Sequence, residues 1–275
     1  MGGVPNDWFH TRRDEQRGVE ALRAGLHSHA YSRHAHETYA IGVTEAGSQS
    51  FWCRGVRHRT RPGSAILFAP LDLHDGHAST SEGVIYRMLY LDAPRLEAAA
   101  RERGRLTGFR AAVADHPPLA AAILRYAREV DRDDDVLAVS EAYFSLVEAL
   151  VGLAGEGRPL GERLPSTLAR VRELMHEEMA ERLTVEDLAE VAGLGRFQLL
   201  RGFSRRFGLP PSAYLRTIRL EAAKRRLAAG DAPADVAAAV GFVDQPHLTR
   251  LFKRAYGITP GAYRRDLGLA SSPSP

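Results

Sequence analysis

Apolar and polar positions along the chain follow two rhythms. Between Leu26 and Leu91 the apolar residues come in short runs: Tyr39-Ala-Ile-Gly-Val-Thr44, Gln49-Ser-Phe-Trp-Cys53, Ala65-Ile-Leu-Phe68 and Val84-Ile-Tyr-Arg-Met-Leu-Tyr-Leu91. Gly47, Gly55, Pro62-Gly63 and Asp75-Gly76 separate them. Short strands at such spacing predict an antiparallel sandwich or barrel. Residues 1–24 carry mixed charge without a clear period and read as a poorly ordered lead-in or a first edge strand. From Pro94 the rhythm becomes helical, over 95–103, 118–131 and 136–153. Leu119, Ile123, Tyr126 and Val130 fall on one helix face, as do Ala142, Leu146, Ala149 and Leu153. Two roles fit these helices equally: packing on the β domain, or pairing with a second subunit. Gly155-Glu-Gly-Arg-Pro159 reads as a linker. From Pro165 helices are predicted near 166–180, 184–191, 196–206, 211–229, 233–240 and 245–255, and the tail 268–275 is expected to be disordered.

The second half contains an internal repeat. Phe203-Ser-Arg-Arg-Phe-Gly-Leu-Pro-Pro-Ser-Ala-Tyr214 recurs 49 residues later as Phe252-Lys-Arg-Ala-Tyr-Gly-Ile-Thr-Pro-Gly-Ala-Tyr263. Upstream, Val191-Ala-Gly-Leu194 pairs with Ala239-Val-Gly-Phe242 at an offset of 48, so the second copy gains one residue inside its turn. Each copy reads helix, glycine-containing turn, helix. Small residues (Val185, Ala189 and Ala192; Val236, Ala237 and Val240) let the helices approach, and Gly193 and Gly241 supply the turn. This predicts two helix-turn-helix modules, at about 184–206 and 233–255.

Charge sharpens the picture. Net charge is +3 for the chain, but Arg196 to Arg265 holds 14 Lys/Arg against 4 Asp/Glu, a net +10. So basic a stretch suits a polyanion such as double-stranded DNA. Once core positions are removed, Arg196, Phe197, Gln198, Leu200 and Arg201 are left for the outer face of the first module's second helix. Gln245, His247, Thr249 and Arg250 are left in the second. Arg reads guanine bidentately, Gln reads adenine, and an apolar side chain such as Phe197 meets a thymine methyl. Arg205, Arg206, Lys253, Arg254, Arg264 and Arg265 are expected on phosphates, which position the protein without specifying sequence.

The composition, 44% hydrophobic and 26% charged, excludes global disorder and a collagen-like chain. No apolar run is expected to reach the roughly 18 residues of a membrane span. The N-terminus lacks a signal-peptide pattern, and the single Cys53 fits a reducing cytoplasm as a buried, inert thiol.

These residues resemble the AraC/XylS family of bacterial transcription regulators. The second copy carries the resemblance through Val240-Gly-Phe242, Leu248-Thr-Arg-Leu-Phe-Lys253, Gly257-Ile-Thr-Pro260 and Tyr263-Arg264. The first matches at Leu188-Ala189, Leu199, Arg201, Phe203, Gly208, Pro211, Tyr214 and Arg219-Leu220. Gly195 departs from it, standing where the family often has a capping Ser. The resemblance implies seven helices in two subdomains joined by a long helix near 211–229, each second helix entering the major groove on one DNA face. Arg33-His-Ala-His-Glu37, Gly47, Pro62-Gly63 and Pro70 with His74 resemble, more loosely, the cupin-like sensor domain of these regulators.

The expected fold is therefore α+β and multidomain. A cupin-like effector-sensing β-barrel occupies 1–93, a helical linker or dimerisation segment 94–160, and an all-α DNA-binding domain 165–267. Eight of the 11 histidines fall in the first 77 residues. His34, His36, Tyr39, Trp52 and His74 are the residues expected around a small effector. No cofactor is required, but His34, His36 and His74 are types that hold a divalent transition metal. Metal-binding cupins usually add a glutamate four residues after the second His, and here that position is Ala40. The expected protein is a cytoplasmic, non-enzymatic regulator, a homodimer that binds DNA and a small effector and works with RNA polymerase, not a membrane. Two other classes stay open: a cupin metalloenzyme fused to a DNA-binding domain, and a nonspecific architectural protein.

Overall fold

The computed structural model describes residues 6–104, 106, 108–132, 135–154 and 166–269. The expected linker at 155–159 and all but the first two residues of the expected tail lie outside them. Contacts divide the chain into two units, Met1–Arg33 with Glu37–Leu160, and His34–His36 with Gly161–Pro275.

The first unit is built on two sheets. Strands β1 (Trp8–Asp14), β2 (Val19–Leu26), β4 (Tyr39–Gly47), β7 (Ala65–Phe68), β9 (Val84–Leu91) and β10 (Val113–Ala114) form one, in the order β1-β2-β9-β4-β7-β10. Strands β3 (Ala30–His34), β5 (Gln49–Cys53), β6 (Val56–Arg59) and β8 (His74–Ala78) form the other, in the order β3-β8-β5-β6. In the larger sheet every neighbouring pair is antiparallel. Residues 8–14, read as lead-in or edge, form a regular edge strand. Its alternation is hidden because mostly polar side chains cover it and only Thr11 is buried.

Both faces of the larger sheet are apolar, with the strand period of two. Tyr39, Ile41 and Val43 of β4 point to one face and join Leu119, Ile123, Tyr126, Leu146 and Leu150. Those five belong to helices α2 (Pro117–Arg132) and α3 (Val136–Leu153), which with α1 (Ala93–Ala100) cover that face. Ala40 points the other way, into a second cluster with Leu26, Phe51, Cys53, Ile66, Phe68, Tyr86 and Met88. The mid-chain helices thus pack on the β sheet. Helix α3 also corrects the expectation about apolar runs. Its 18 residues reach a mean hydropathy of 1.7, enough by length and composition to cross a membrane. Val139, Ala142, Tyr143, Leu146, Val147 and Leu150 are buried in the unit's core, and Glu141 and Glu148 occur along the same helix, so it is a core helix.

The second unit is helical: α4 (Ser166–Glu177), α5 (Val185–Ala192), α6 (Arg196–Phe207), α7 (Pro211–Ala228), α8 (Pro233–Ala239), α9 (Gln245–Tyr256) and α10 (Pro260–Asp266). These are seven helices among the described residues, the number the resemblance implies. Residue periodicity alone passed over α10. It is only seven residues long, with Pro260, Tyr263 and Arg264 buried, and its start is fixed locally by the Thr259 side chain, which accepts from Ala262 N. Helix α7 runs through both halves of the unit. Near its start Tyr214 meets the rings of Phe203 and Phe207, each 5.4 Å away. Its later residues Leu220, Ala222, Ala223 and Leu227 join Val236, Val240, Leu248 and Phe252. Full burial of such side chains contributes about 1.5–3 kcal/mol each.

In the first unit, Glu45 accepts from Arg23 Nη2 at 2.7 Å and from Arg87 Nε at 2.6 Å, and Arg87 also reaches Asp131 of α2 at 2.9 Å. Burial alone would raise the Glu45 carboxyl, but the two guanidinium hydrogen bonds outweigh it and hold the group below its ordinary value. A carboxylate depressed in the folded state stabilises above its unfolded pKa, about 4.3, and that stabilisation disappears as pH falls through the folded value. Glu45→Gln is therefore expected to flatten the acid limb of the first unit's thermal stability below about pH 5. Equal acid dependence in parent and variant, read by thermal unfolding against pH, would contradict this.

Candidate functional site

The first helix-turn-helix module is α5, a turn and α6. Thr184 caps α5 by accepting from Asp187 N, while Asp187 accepts from Thr184 N. Gly193 then takes a left-handed conformation, φ +61°, which a residue with a Cβ rarely adopts. Leu199, Phe203 and Phe207 bury one face of α6. Arg196, Phe197, Gln198, Arg201 and Arg205 are exposed, and Leu200 and Arg206 are half-buried. Gly195 gives α6 no side-chain cap, and Gln198 substitutes by folding back, its Oε1 accepting from Gly195 N at 3.2 Å. Arg196 Nη1 donates to Glu186 at 2.8 Å. Two of the expected base-reading side chains thus hold local partners, whereas Phe197 is 78% exposed.

The second module is α8, a turn and α9. Gly241 has φ +79°, and a Cβ there would lie 2.6 Å from the Ala180 carbonyl oxygen, so both conformation and space demand glycine. Asp244 caps α9 by accepting from His247 N at 2.7 Å, and Pro246 sits in the first turn, where no intrahelical N–H partner is needed. Leu248, Phe252, Ala255 and Tyr256 are buried. Gln245, Arg250, Lys253 and Arg254 are exposed, and His247 and Thr249 are half-buried. The His247 ring stands edge-on to Phe242, at 5.4 Å, and lines a groove of about 320 Å³ bounded by α5, α7 and α9.

Arg265 is exposed, but Arg264, expected on a phosphate, is buried and donates to the Gly230 carbonyl at 2.9 Å. It ties α10 to the turn that follows α7, a structural role for a buried guanidinium. Arg219 plays the same kind of part, donating to the carbonyls of Met179 (2.6 Å) and Glu181 (2.8 Å).

Of the expected effector residues, Tyr39 and Trp52 turn away from the interior between the sheets, whereas His34, His36 and His74 bring ligand nitrogens within 4.8 Å of one another. Tyr39 lies on the helix-covered face of its sheet. Its hydroxyl donates to Glu97 at 3.2 Å, and burial raises its pKa, helped by the Glu97 charge. It therefore does not line the interior between the sheets. Phe51 and Cys53 point into that interior, so Trp52 between them turns outward, half-buried, with the Arg57 guanidinium 5.5 Å from its ring. His74 is buried and stacked on Phe68 at 3.9 Å. Its Nδ1–H donates to the Asp72 carbonyl at 2.8 Å. His34 ends β3, while His36 is buried in the second unit, its Nδ1 3.1 Å from Glu221 Oε1 and its ring stacked on Tyr256. The His34 and His36 rings stand edge to face, 4.8 Å between centroids. Tyr31 and Tyr86 are not among the residues the sequence analysis names around the effector. Tyr86 belongs to the interior cluster and Tyr31 packs against it, with their hydroxyls 2.7 Å apart, and burial raises both pKa values. The alternation of Tyr86 with Met88 was the available signal. Cys53 is buried, and burial pushes its thiol up to about 12, away from reactivity.

Comparison with known proteins places both units. Residues 17–147 match the model of the AraC-like ligand binding domain, and residues 188–266 that of a helix-turn-helix domain. An uncharacterized HTH-type transcriptional regulator of Bacillus subtilis (strain 168), YbfI, is 30% identical over 236 residues, covering 84% of this chain and 86% of the relative. Two structures of ToxT from Vibrio cholerae share the fold. One, bound to an unsaturated fatty acid, is 13% identical with a TM-score of 0.65, covering 99% of this chain and 100% of that one. The other is 11% identical with a TM-score of 0.64, covering 95% and 98%. A relative alike over most of both chains, with each half matching its own model, makes this chain a member of the AraC family of helix-turn-helix transcription regulators, a ligand-binding β domain preceding a DNA-binding helical unit.

Proposed function

We propose that the protein reads a specific DNA sequence with two unequal recognition helices, α6 and α9, and that a small effector held between the sheets of the first unit biases that binding. The observation carrying this reading is the pair of exposed, arginine-bearing faces on α6 and α9, mounted on the single helix α7. The 18 residues of α7 span about 27 Å at 1.5 Å per residue, comparable with the roughly 34 Å between successive major-groove segments on one DNA face. Arg201 and Arg250 hold the same place in the repeat and are the principal base readers. Phe197, Gln245 and Thr249 assist, and Arg196, Gln198 and His247 exchange their internal partners for bases. Arg205, Arg206, Lys253, Arg254 and Arg265 hold phosphates.

The effector is predominantly apolar. The cluster that includes Leu22, Leu26, Ile66, Phe68 and Met88 forms the interior, and the Tyr31–Tyr86 hydroxyl pair is its polar handle. The fatty acid in one ToxT structure supports that chemistry. The protein acts in the cytoplasm alongside RNA polymerase and performs no catalytic step. Ala40, where a metal-binding cupin would carry glutamate, is a buried apolar position.

Arg250→Ala is expected to cost roughly 1–3 kcal/mol on the selected operator and to relax one base preference. An unchanged binding profile on a randomised duplex library would reject direct readout there. Lys253→Ala should weaken binding to all duplexes alike and flatten the salt slope by about one unit; a sequence-selective loss would contradict a phosphate role. We further propose that α3 pairs two copies. Of seven exposed large apolar side chains among the described residues, Val136, Leu137 and Phe144 lie on this helix, 71%, 69% and 61% exposed. The double substitution Leu137→Glu with Phe144→Glu should turn a dimer into a folded monomer by sedimentation. A dimer that persists would place the interface elsewhere.

A further inference from the structure

The most exposed large apolar side chain in the described structure is Val243, at 88%. It lies in the turn of the second module, one residue before the Asp244 cap of α9. Comparison of the modules shows why it stands out. Gly193-Leu-Gly195 makes the first turn, whereas Gly241-Phe-Val-Asp244 makes the second. Val243 is the residue that shifts the repeat offset from 48 to 49.

The turn around it is held on both sides. Upstream, Gly241 abuts the Ala180 backbone so closely that it has no room for a Cβ, Phe242 is buried, and Phe242 N donates to Ala237 O at 2.9 Å. Downstream, Asp244 is tied to His247 N. Valine is itself stiff at χ1. A rigid, water-exposed isopropyl group is therefore presented at the N-terminal end of α9, the end from which recognition helices contact base edges. Gln245 and Arg250 of the same helix are exposed as well. Among the groups a major groove offers at a base edge, the thymine 5-methyl is the apolar one.

We propose that Val243 is a specificity-determining residue of the second module, packing against one thymine 5-methyl at the edge of the half-site that α9 reads. The inserted residue gives module two an apolar contact ahead of its helix, in a place where module one has only Gly195. This rests on the reading of α9 as a recognition helix.

The test uses the full-length protein and duplexes it selects from a randomised library. Thymines in the α9 half-site are replaced one at a time by deoxyuridine, which removes only the methyl group. One replacement should weaken the parent protein about fourfold, the factor one buried methyl supplies. Val243→Ala should bind that thymine and deoxyuridine duplex equally while remaining sensitive to changes at the base read by Arg250. A half-site without thymine, or a deoxyuridine effect of the same size in Val243→Ala, overturns the proposal and leaves the recognition role of α9 intact. Loss of no base preference in either Val243→Ala or Arg250→Ala overturns both. Val243→Ser serves as a second variant, and at 88% exposure neither change disturbs the core.

Discussion

The packing of α7 into both halves of the helical unit is the constraint on which the DNA-binding half depends. Ten of its 18 residues are buried, including Glu221 and Lys224. Burial would raise the Glu221 carboxyl, but the His36 contact, the nearby Lys224 charge and the Tyr256 hydroxyl, which donates at 2.9 Å, bring it down to about 2. Lys224 Nζ lies 4.7 Å from the Tyr256 ring and 5.8 Å from the Tyr263 ring. A helix whose polar groups are committed in this way has little freedom to rotate or bend. The recognition helices on either side of it inherit that stiffness, and Arg219 and Arg264 add clamps near its middle and just past its end.

The two modules are built from one pattern but are not equivalent. Module one starts its recognition helix with a glycine cap and recruits Gln198 to fill the vacancy. Module two starts with Asp244, a strong cap, and leaves Gln245 exposed. Helix α9 therefore begins on a fixed N-terminus, while α6 must release Gln198 and Arg196 from local partners before they reach bases. The readout proposed above therefore rests more firmly on the second module.

Much of this was legible in the sequence, for a clear reason. Apolar spacings of three and four marked α2, α3, α6 and α9, and the repeat marked both modules. What was hidden is direction. In β4 both faces are buried, so alternation tells that Tyr39 and Ala40 oppose each other without telling which faces the barrel interior. Charge shows that Arg264 is basic but not that it points inward to Gly230. The edge strand β1 was obscured by its polar cover, and α10 by its shortness. The one-residue gain inside the second turn was visible in the repeat, and the fold adds that Val243 there is exposed.

The central claim is that α7 sets a fixed separation between α6 and α9. The most direct measurement is binding of the full-length protein to its selected duplex with 5 or 10 base pairs inserted between the two half-sites. A rigid strut predicts that both insertions reduce affinity toward the nonspecific level, a loss of about a thousandfold or more. A 10-base-pair insertion restores the helical phase, so binding that survives it would show a flexible tether and contradict the account.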